Sequence, residues 1–374
     1  MQIIQINPDR TKEVKAFIDL PYSIYQGVPQ WVPPLSTDIQ RIFDRRRHPF
    51  YRSGNAAFYL AKDENGDIAG RIAILNNHNH NAYNPENIAF FYLFECIDRE
   101  DIAQGLFKYA IEWALEQGLN KILGPKGITV FDGLGLLVEG FEYRPAYGLP
   151  YNPPYYPQLV ESAGFVIDSE LVSGYLEERI QFPDKMLELS QRLSQRRGLY
   201  IKKIKTRRDL RALIPYLKDL YNSSLGETSG GSPLSDEEVE SLAGQMLWFA
   251  DPTLIKIVMK EDKPVGFLFA YPDVSAAVQR IKGKVFPFGW IYLLLELRRT
   301  KWININGAAM IEGYRGSGGT ALLFSEMYKS VINSRYKYAE VVQIGLENER
   351  MQRELANLGI NFYKKHRVYS RSLS

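Results

Sequence analysis

The order of strand and helix signals along this chain occurs twice. Residues 57–75, AFYLAKDENGDIAGRIAIL, and residues 255–270, IKIVMKEDKPVGFLFA, share one plan: an apolar run, a lysine followed by an acid (Lys62-Asp63 and Lys260-Glu261), a turn, then a β-rich run with a glycine near its start (Gly70 and Gly266). Strand-favouring runs around Gly or Pro punctuation read as β-hairpins. After an insertion each hairpin is followed by a strand, a helix and a further strand. In the first half these are IAFFYLFECI (88–97), REDIAQGLFKYAIEWALEQG (99–118) and KILGP; in the second they are WININGAAMI (302–311), GGTALLFSEMYKSVINS (318–334) and YAEVVQIGL. A helix that closes on a glycine ends both series, YYPQLVESAGF and RMQRELANLGI. A shared series of this length constrains the fold more than any single motif. It predicts two copies of one α+β unit, each a mixed, mostly antiparallel sheet flanked by helices.

The seam falls in QFPDKMLELSQRLSQRRG (181–198), where Pro183 opens a helix and Gly198 ends it. The two units are therefore expected at 1–185 and 186–374. Within the second, SDEEVESLAGQMLWFAD (235–251) offers a serine cap, acids in the first turn and an apolar stripe. With 374 residues, 45% hydrophobic and 24% charged, the chain can bury two cores of ordinary size. Its net charge of +3 does not select nucleic acid as a partner. Cys96 stands alone, so neither an internal disulfide nor a cysteine-rich metal site is expected. The first residues lack a signal pattern and no apolar run reaches membrane-spanning length, so a cytoplasmic protein is expected.

The second half carries a glycine loop, EGYRGSGGTALLF (312–324), between an apolar strand and an apolar helix. Side-chain-free residues before a helix N-terminus let the backbone approach an anion. As a P-loop it fails: Gly313, Gly318 and Thr320 fit, but Gly319 stands where the lysine that meets the β/γ-phosphates belongs. As a dinucleotide fingerprint Gly316, Gly318 and Ala321 fit, yet too little chain follows for the strand–helix units such a sheet needs. A turn that only caps a helix is the plain alternative.

Arg315-Gly316-Ser317-Gly318-Gly319-Thr320 also resembles R/Q-x-x-G-x-G/A, the pyrophosphate loop of the GNAT superfamily of acyltransferases. More specific stretches, HPFYRSGNAAFYLAKDENGDIAGRIAILNN, GPKGITVFDGLGLLVEGFEYRPAYGLPYNPPYYPQLVESAGF and ENERMQRELANLGINFYKKHRVY, resemble the bacterial ceramide synthase-like tandem GNAT proteins over most of the chain. The resemblance implies two GNAT-like domains and N-acyl transfer from acyl-CoA or acetyl-CoA, as co-substrate, to an amine. It permits a long-chain acyl group and an amino-lipid acceptor. It places the diphosphate on Arg315, Gly316, Ser317, Gly318, Gly319 and Thr320, with the pantetheine arm between the fourth and fifth strands. Backbone N–H groups at Met310 and Ile311 would meet the oxyanion. Asn348 resembles the asparagine that contacts the arm, and an N-cap explains it equally well.

The chain departs from the superfamily at Leu355, four residues before Gly359, where many members carry a tyrosine that protonates the leaving thiolate. The substitute acid is Tyr363 or water, and Glu347 and Asp132 are the candidate carboxylate bases. The missing tyrosine keeps a second reading open, a non-catalytic acyl-CoA or lipid-binding module. In the first half acids (Asp98, Glu100 and Asp101) replace the glycine loop and would repel a diphosphate, so that domain reads as degenerate.

Two further features bear on partners. FPFGWIYLLLELRRTKW (286–302) sets Ile291, Leu294, Leu295 and Arg298 at helical spacing and ends in basic residues. It reads as a core helix, as a cover over an acyl tunnel, or as a peripheral contact with an acidic inner-membrane surface. From Arg192 to Arg211, nine lysines and arginines face Asp209 alone, a solvated face or a site for anionic lipid or CoA phosphates. No recognition motif accompanies the charge, so no nucleic acid is expected. His78 and His80 in NNHNHN lack a third ligand nearby, and no metal is expected.

Overall fold

The computed structural model describes residues 1–129, 132–177, 184–224, 231–247, 249–315 and 317–373; Pro183 and Gly316 lie outside them. Its backbone divides into two compact units, one of residues 1–172, 275–294 and 363–374, the other of residues 173–274 and 295–362. Both are α+β, as the repeated series predicts.

The first unit opens with β1 (Gln2–Gln5), α1 (Thr11–Ile24) and α2 (Ser36–Ile42). Then come β2 (Gly54–Lys62), β3 (Ile68–Asn77), the short α3 (His78–Tyr83), β4 (Ile88–Cys96), α4 (Glu100–Glu116), β5 (Lys121–Gly124), β6 (Leu136–Glu139), α5 (Tyr156–Ser162) and the start of β7 (Val166–Glu177). Strands β1 to β4 are antiparallel neighbours in chain order, and β5 joins β4 in parallel. Both faces of the hairpin β2–β3 are covered. Ala57, Tyr59, Ile72 and Ile74 pack with α4 residues Leu106 and Phe107, while Phe58, Leu60, Ala73 and Leu75 pack with Phe17, Ile39 and Ile42 of α1 and α2. That is why the strand sequence is continuously apolar rather than alternating.

The second unit holds α6 (Asp184–Arg197), β8 (Leu199–Ile201), α7 (Arg207–Ser224), α8 (Asp236–Met246), β9 (Ile255–Lys260) and β10 (Lys263–Pro272). The chain then passes through α9 (Ser275–Arg280) and α10 (Gly289–Arg299) to β11 (Trp302–Met310), α11 (Gly319–Ile332), β12 (Tyr338–Gly345), α12 (Glu349–Asn357) and β13 (Asn361–Ser372). The sheet order is β12-β11-β10-β9-β8. Helix α11 packs on Val258, Leu268, Ile303 and Ile305, and α7 covers the other face at Ile257, Met259 and Phe269. The serine cap predicted for α8 is present: Ser235 and Glu238 form a reciprocal capping box.

The duplication reaches down to single residues. β9–β10 repeats β2–β3, β11–α11–β12 repeats β4–α4–β5, and the strand after the hairpin bulges at the matching place in both units. Between Ala73↔Tyr92 and Arg71↔Glu95, β4 spends one residue more than β3, with Leu93 at φ +50. Between Ala270↔Ile305 and Leu268↔Ala308, β11 does the same, with Gly307 at φ +141. The hairpin glycines are explained by close approach. A Cβ on Gly70 would lie 2.8 Å from Leu106 of α4, and one on Gly266 would overlap the Met310 sulfur. Among the described residues no helix is long and apolar enough to cross a membrane.

Candidate functional site

Strands β11 and β12 pair in parallel only from Trp302↔Tyr338 to Ile305↔Val341. Past Ile305, β11 bulges and stays on β10 as far as Met310, while β12 continues to Gly345 on its own course. Gln343 takes a left-handed φ of +42 and donates its N–H to Ser173 Oγ at 3.1 Å. A V therefore opens between Asn306–Ala309 and residues 342–345, whose side chains are half-buried.

At the head of the V, β11 runs through a single 3-10 turn (Glu312–Tyr314) into the glycine loop and α11. Gly318 is the N-cap at φ +87, a conformation that favours glycine. Gly319 lies so close to Met310 that any Cβ would collide with its side chain, whereas Gly313 has open space around it. Ser317 is buried and donates its hydroxyl to Tyr314 O at 2.5 Å. In the first turn of α11 the N–H groups of Gly319, Thr320 and Ala321 have no intrahelical acceptor. Arg315 is exposed, and its Nε donates to Met310 O at 3.3 Å, tying the guanidinium back to the end of β11. The loop thus offers unpaired helix N–H groups, a cation and closely approachable backbone, a donor set that fits a diphosphate.

Beneath the point of parting lies a buried polar cluster that no motif announces. Glu340 of β12, Asn304 of β11 and Tyr271 of β10 are register partners on one face of three adjacent strands. All three are buried, as is Asp273 just beyond β10. Asn304 Nδ2 donates to Asp273 Oδ1 at 3.2 Å, and Asn304 Oδ1 has no hydrogen-bond partner among the described residues. Asn306, the first residue past the last parallel pair, donates from Nδ2 to the Tyr271 hydroxyl at 3.2 Å. Burial pushes the Tyr271 phenol up to about 12 against the hydrogen bonds from Asn306 and Asn304, and the charges of Asp273 and Glu340 add to the rise. The phenol is protonated at neutral pH and can donate a proton. The only signal in the sequence is the alternation Asn304-Ile305-Asn306, polar residues in an otherwise apolar strand.

The residues singled out in sequence fall as follows. The Ile311 N–H is already given to Val265 O at 3.0 Å, on the β10 side. Strand alternation turns the Met310 N–H to the opposite edge, the edge that faces the V. Glu347 is exposed just past the end of β12, and a Cβ on Gly345 would overlap its carboxylate. Asn348 caps α12, its Oδ1 accepting from the Met351 N–H at 3.1 Å. Leu355 is buried in the core of the second unit. Asp132 and Tyr363 belong to the first unit and Glu347 to the second. Asp132 Oδ2 accepts from the Thr129 N–H at 2.7 Å and hydrogen-bonds Tyr92; burial raises its carboxyl above the usual range. Tyr363 packs edge-on against Tyr143 and accepts a hydrogen bond from Lys364 Nζ at 2.9 Å.

The corresponding V of the first unit is filled by its own backbone. Parallel pairing of β4 with β5 ends at Phe90↔Leu123, but the next segment does not leave: the Lys126 N–H donates to Phe91 O at 2.9 Å. A Cβ on Gly124 would lie 2.5 Å from the same carbonyl, and Asp132 closes over the end through Tyr92. At the start of α4, Arg99 pairs with Glu64 and Asp101 where the second unit has its glycines. His80 is buried with Nε2 3.1 Å from Glu86, and burial pushes its pKa down to about 3. Among the described residues no His, Cys, Asp and Glu group is arranged to hold a metal.

No family model matches the chain. Over 96% of its length it is 26% identical to protein YghO of Escherichia coli K12, covering 93% of that protein. Over 96% it is likewise 24% identical to the bacterial ceramide synthase of Caulobacter vibrioides, covering 95% of that enzyme. Among solved structures, a tandem GNAT protein from the clavulanic acid biosynthesis pathway superposes with a TM-score of 0.58 at 10% identity, over 99% of this chain and 98% of that one. Together with the repeated strand–helix plan, the chain is a tandem GNAT-fold protein that resembles the bacterial ceramide synthase over nearly all of its length.

Proposed function

We propose that the second unit binds acyl-CoA and transfers its acyl group to an amine, with a long-chain amine lipid as the preferred class of acceptor. The observation that carries this reading is the V between β11 and β12, which runs from the glycine loop to a parting point one register pair past the buried Tyr271–Asn304–Glu340 cluster. Arg315 and the first turn of α11 hold the diphosphate, and the arm of the thioester lies along the V. The Met310 N–H faces the carbonyl oxygen as it becomes an oxyanion. Glu340 and Asp273 give the floor the negative charge that a protonated amine needs. The ammonium first gives one proton to a carboxylate, the free amine nitrogen then attacks the thioester carbon, the C–S bond breaks as the amide forms, and the second proton lost by the nitrogen restores the one that the general acid gives to the thiolate. Tyr271, protonated throughout the working pH range, is the donor for the departing thiolate and replaces the tyrosine absent at Leu355.

The second reading, a binding module without turnover, draws on Leu355 alone. Both are tested by calorimetry with CoA, acetyl-CoA and palmitoyl-CoA on the native protein and on Arg315→Ala and Gly318→Glu, followed by assay of free thiol with long-chain amines. Binding that weakens about 10- to 100-fold in Arg315→Ala supports the loop assignment. Amine-dependent thiol release supports transfer, binding without release supports the module, and no binding of any CoA species overturns both.

A further inference from the structure

Helix α10 and the turn before it carry a surface unlike the rest of the chain. Phe286 and Phe288 are 75% and 68% exposed, and Trp290, Ile291, Leu294 and Leu295 are each more than a third exposed. Within α10 the apolar side chain that is buried is Leu293. The stripe at 291, 294 and 295 therefore points outward, and the core-helix alternative read from the sequence is corrected. Helical spacing puts Leu293 on the inner face and leaves the larger apolar set outside.

This surface is held firmly at its base. The Tyr22 hydroxyl donates to Lys282 O at 2.9 Å, and the Ser36 N–H and hydroxyl both donate to Gly283 O. Gln279 Nε2 donates to Pro29 O and Trp31 O at 2.8 and 2.9 Å. The Trp290 indole N–H is satisfied by Pro287 O at 3.0 Å, so its ring can enter an apolar medium without an unmet donor. Around the apolar set, Arg280, Lys282, Lys284, Arg298, Arg299 and Lys301 are all exposed, and Glu296 is the one acid between residues 280 and 301.

We infer that this segment docks the protein on the surface of an anionic lipid bilayer, with the two phenylalanines and Trp290 in the interfacial region and the cations at the headgroups. Charge complementarity selects this occupant. A second copy joined through the same face would bring the same cations onto themselves, whereas an acidic leaflet gains about 1 kcal/mol for each Lys or Arg held near it. An 11-residue helix is about 16 Å long, too short to span, so it lies along the surface. This inference stands apart from the catalytic reading and does not depend on it.

The test is co-sedimentation of the full chain with vesicles of phosphatidylcholine alone and with about 30 mol% phosphatidylglycerol, at about 0.05 and 0.5 M salt. The expected result is binding to the anionic vesicles that falls at high salt and drops about tenfold or more in a Phe286→Ser, Phe288→Ser, Trp290→Ser variant with native circular dichroism. A second variant, Arg298→Gln, Arg299→Gln, Lys301→Gln, is expected to bind the anionic vesicles about tenfold or more weakly and with a smaller salt dependence. Unchanged binding by either variant, or no binding by the native chain, overturns the inference. So does light scattering that reveals a dimer which the serine variant dissolves.

Discussion

Asn304 and Glu340 face each other across β11 and β12 one pair before the strands part, both buried, with the Asn304 carbonyl oxygen left without a hydrogen-bond partner among the described residues. A buried amide oxygen that no donor meets, beside a buried carboxylate, costs free energy unless a ligand donor completes it. In the proposed reaction this pair receives the donor group of the acceptor, and an ammonium is the donor that a carboxylate favours.

Removing the Tyr271 hydroxyl by Tyr271→Phe should lower kcat about 100-fold or more while leaving CoA affinity within about twofold. Glu340→Gln should raise KM for the amine. Stopped-flow thiol release and calorimetry separate the two effects. Unchanged kinetics in both variants would remove this cluster from the reaction.

The two flanking glycines of the loop should respond differently. Gly318→Ala must hold φ +87 with a side chain, at a cost of about 1 kcal/mol, and should lower Tm and weaken CoA binding. Gly313→Ala enters open space and should change neither. Thermal melts with and without CoA check both.

Asn348 can be resolved by two substitutions. Asn348→Ala loses the cap on α12 and should cost about 1 kcal/mol. Asn348→Asp keeps the cap, so stability should hold. If the amide also meets the pantetheine arm, only the aspartate variant will bind CoA more weakly at native stability.

Acid should destabilise the first unit through His366. Its ring is fully buried with Nε2 3.3 Å from Pro150 O, and burial pushes its pKa down to about 4. A depressed folded pKa contributes stability that is complete above the unfolded value near 6.5 and is lost as pH falls through 4. The loss is roughly 3 kcal/mol for this group. Denaturant melts between pH 7 and pH 4 should show that slope together with the one from His80, whose pKa burial pushes down to about 3, and His366→Asn should reduce the slope without abolishing it.

Much of this was legible in the linear chain because local rules decide it. The hairpins, the capping box at Ser235 and the left-handed cap at Gly318 each depend on a few consecutive residues, and the same short plan written twice identifies a duplicated fold. The chemistry at the floor of the V was not legible. Tyr271, Asn304, Asn306 and Glu340 lie on three strands, with Asp273 just past the end of one, and each alone reads as a stray polar residue in an apolar run. Only sheet register sets them on one face. In the same way, the acids of the first half marked its missing glycine loop, but the closure of its V came from the Lys126 N–H meeting Phe91 O, a contact between distant residues. The apolar stripe of α10 was visible as periodicity, which is the same for a buried helix and an exposed one. Which face meets the interior was decided by the tertiary packing that buries Leu293 and leaves Phe286, Phe288 and Trp290 outside.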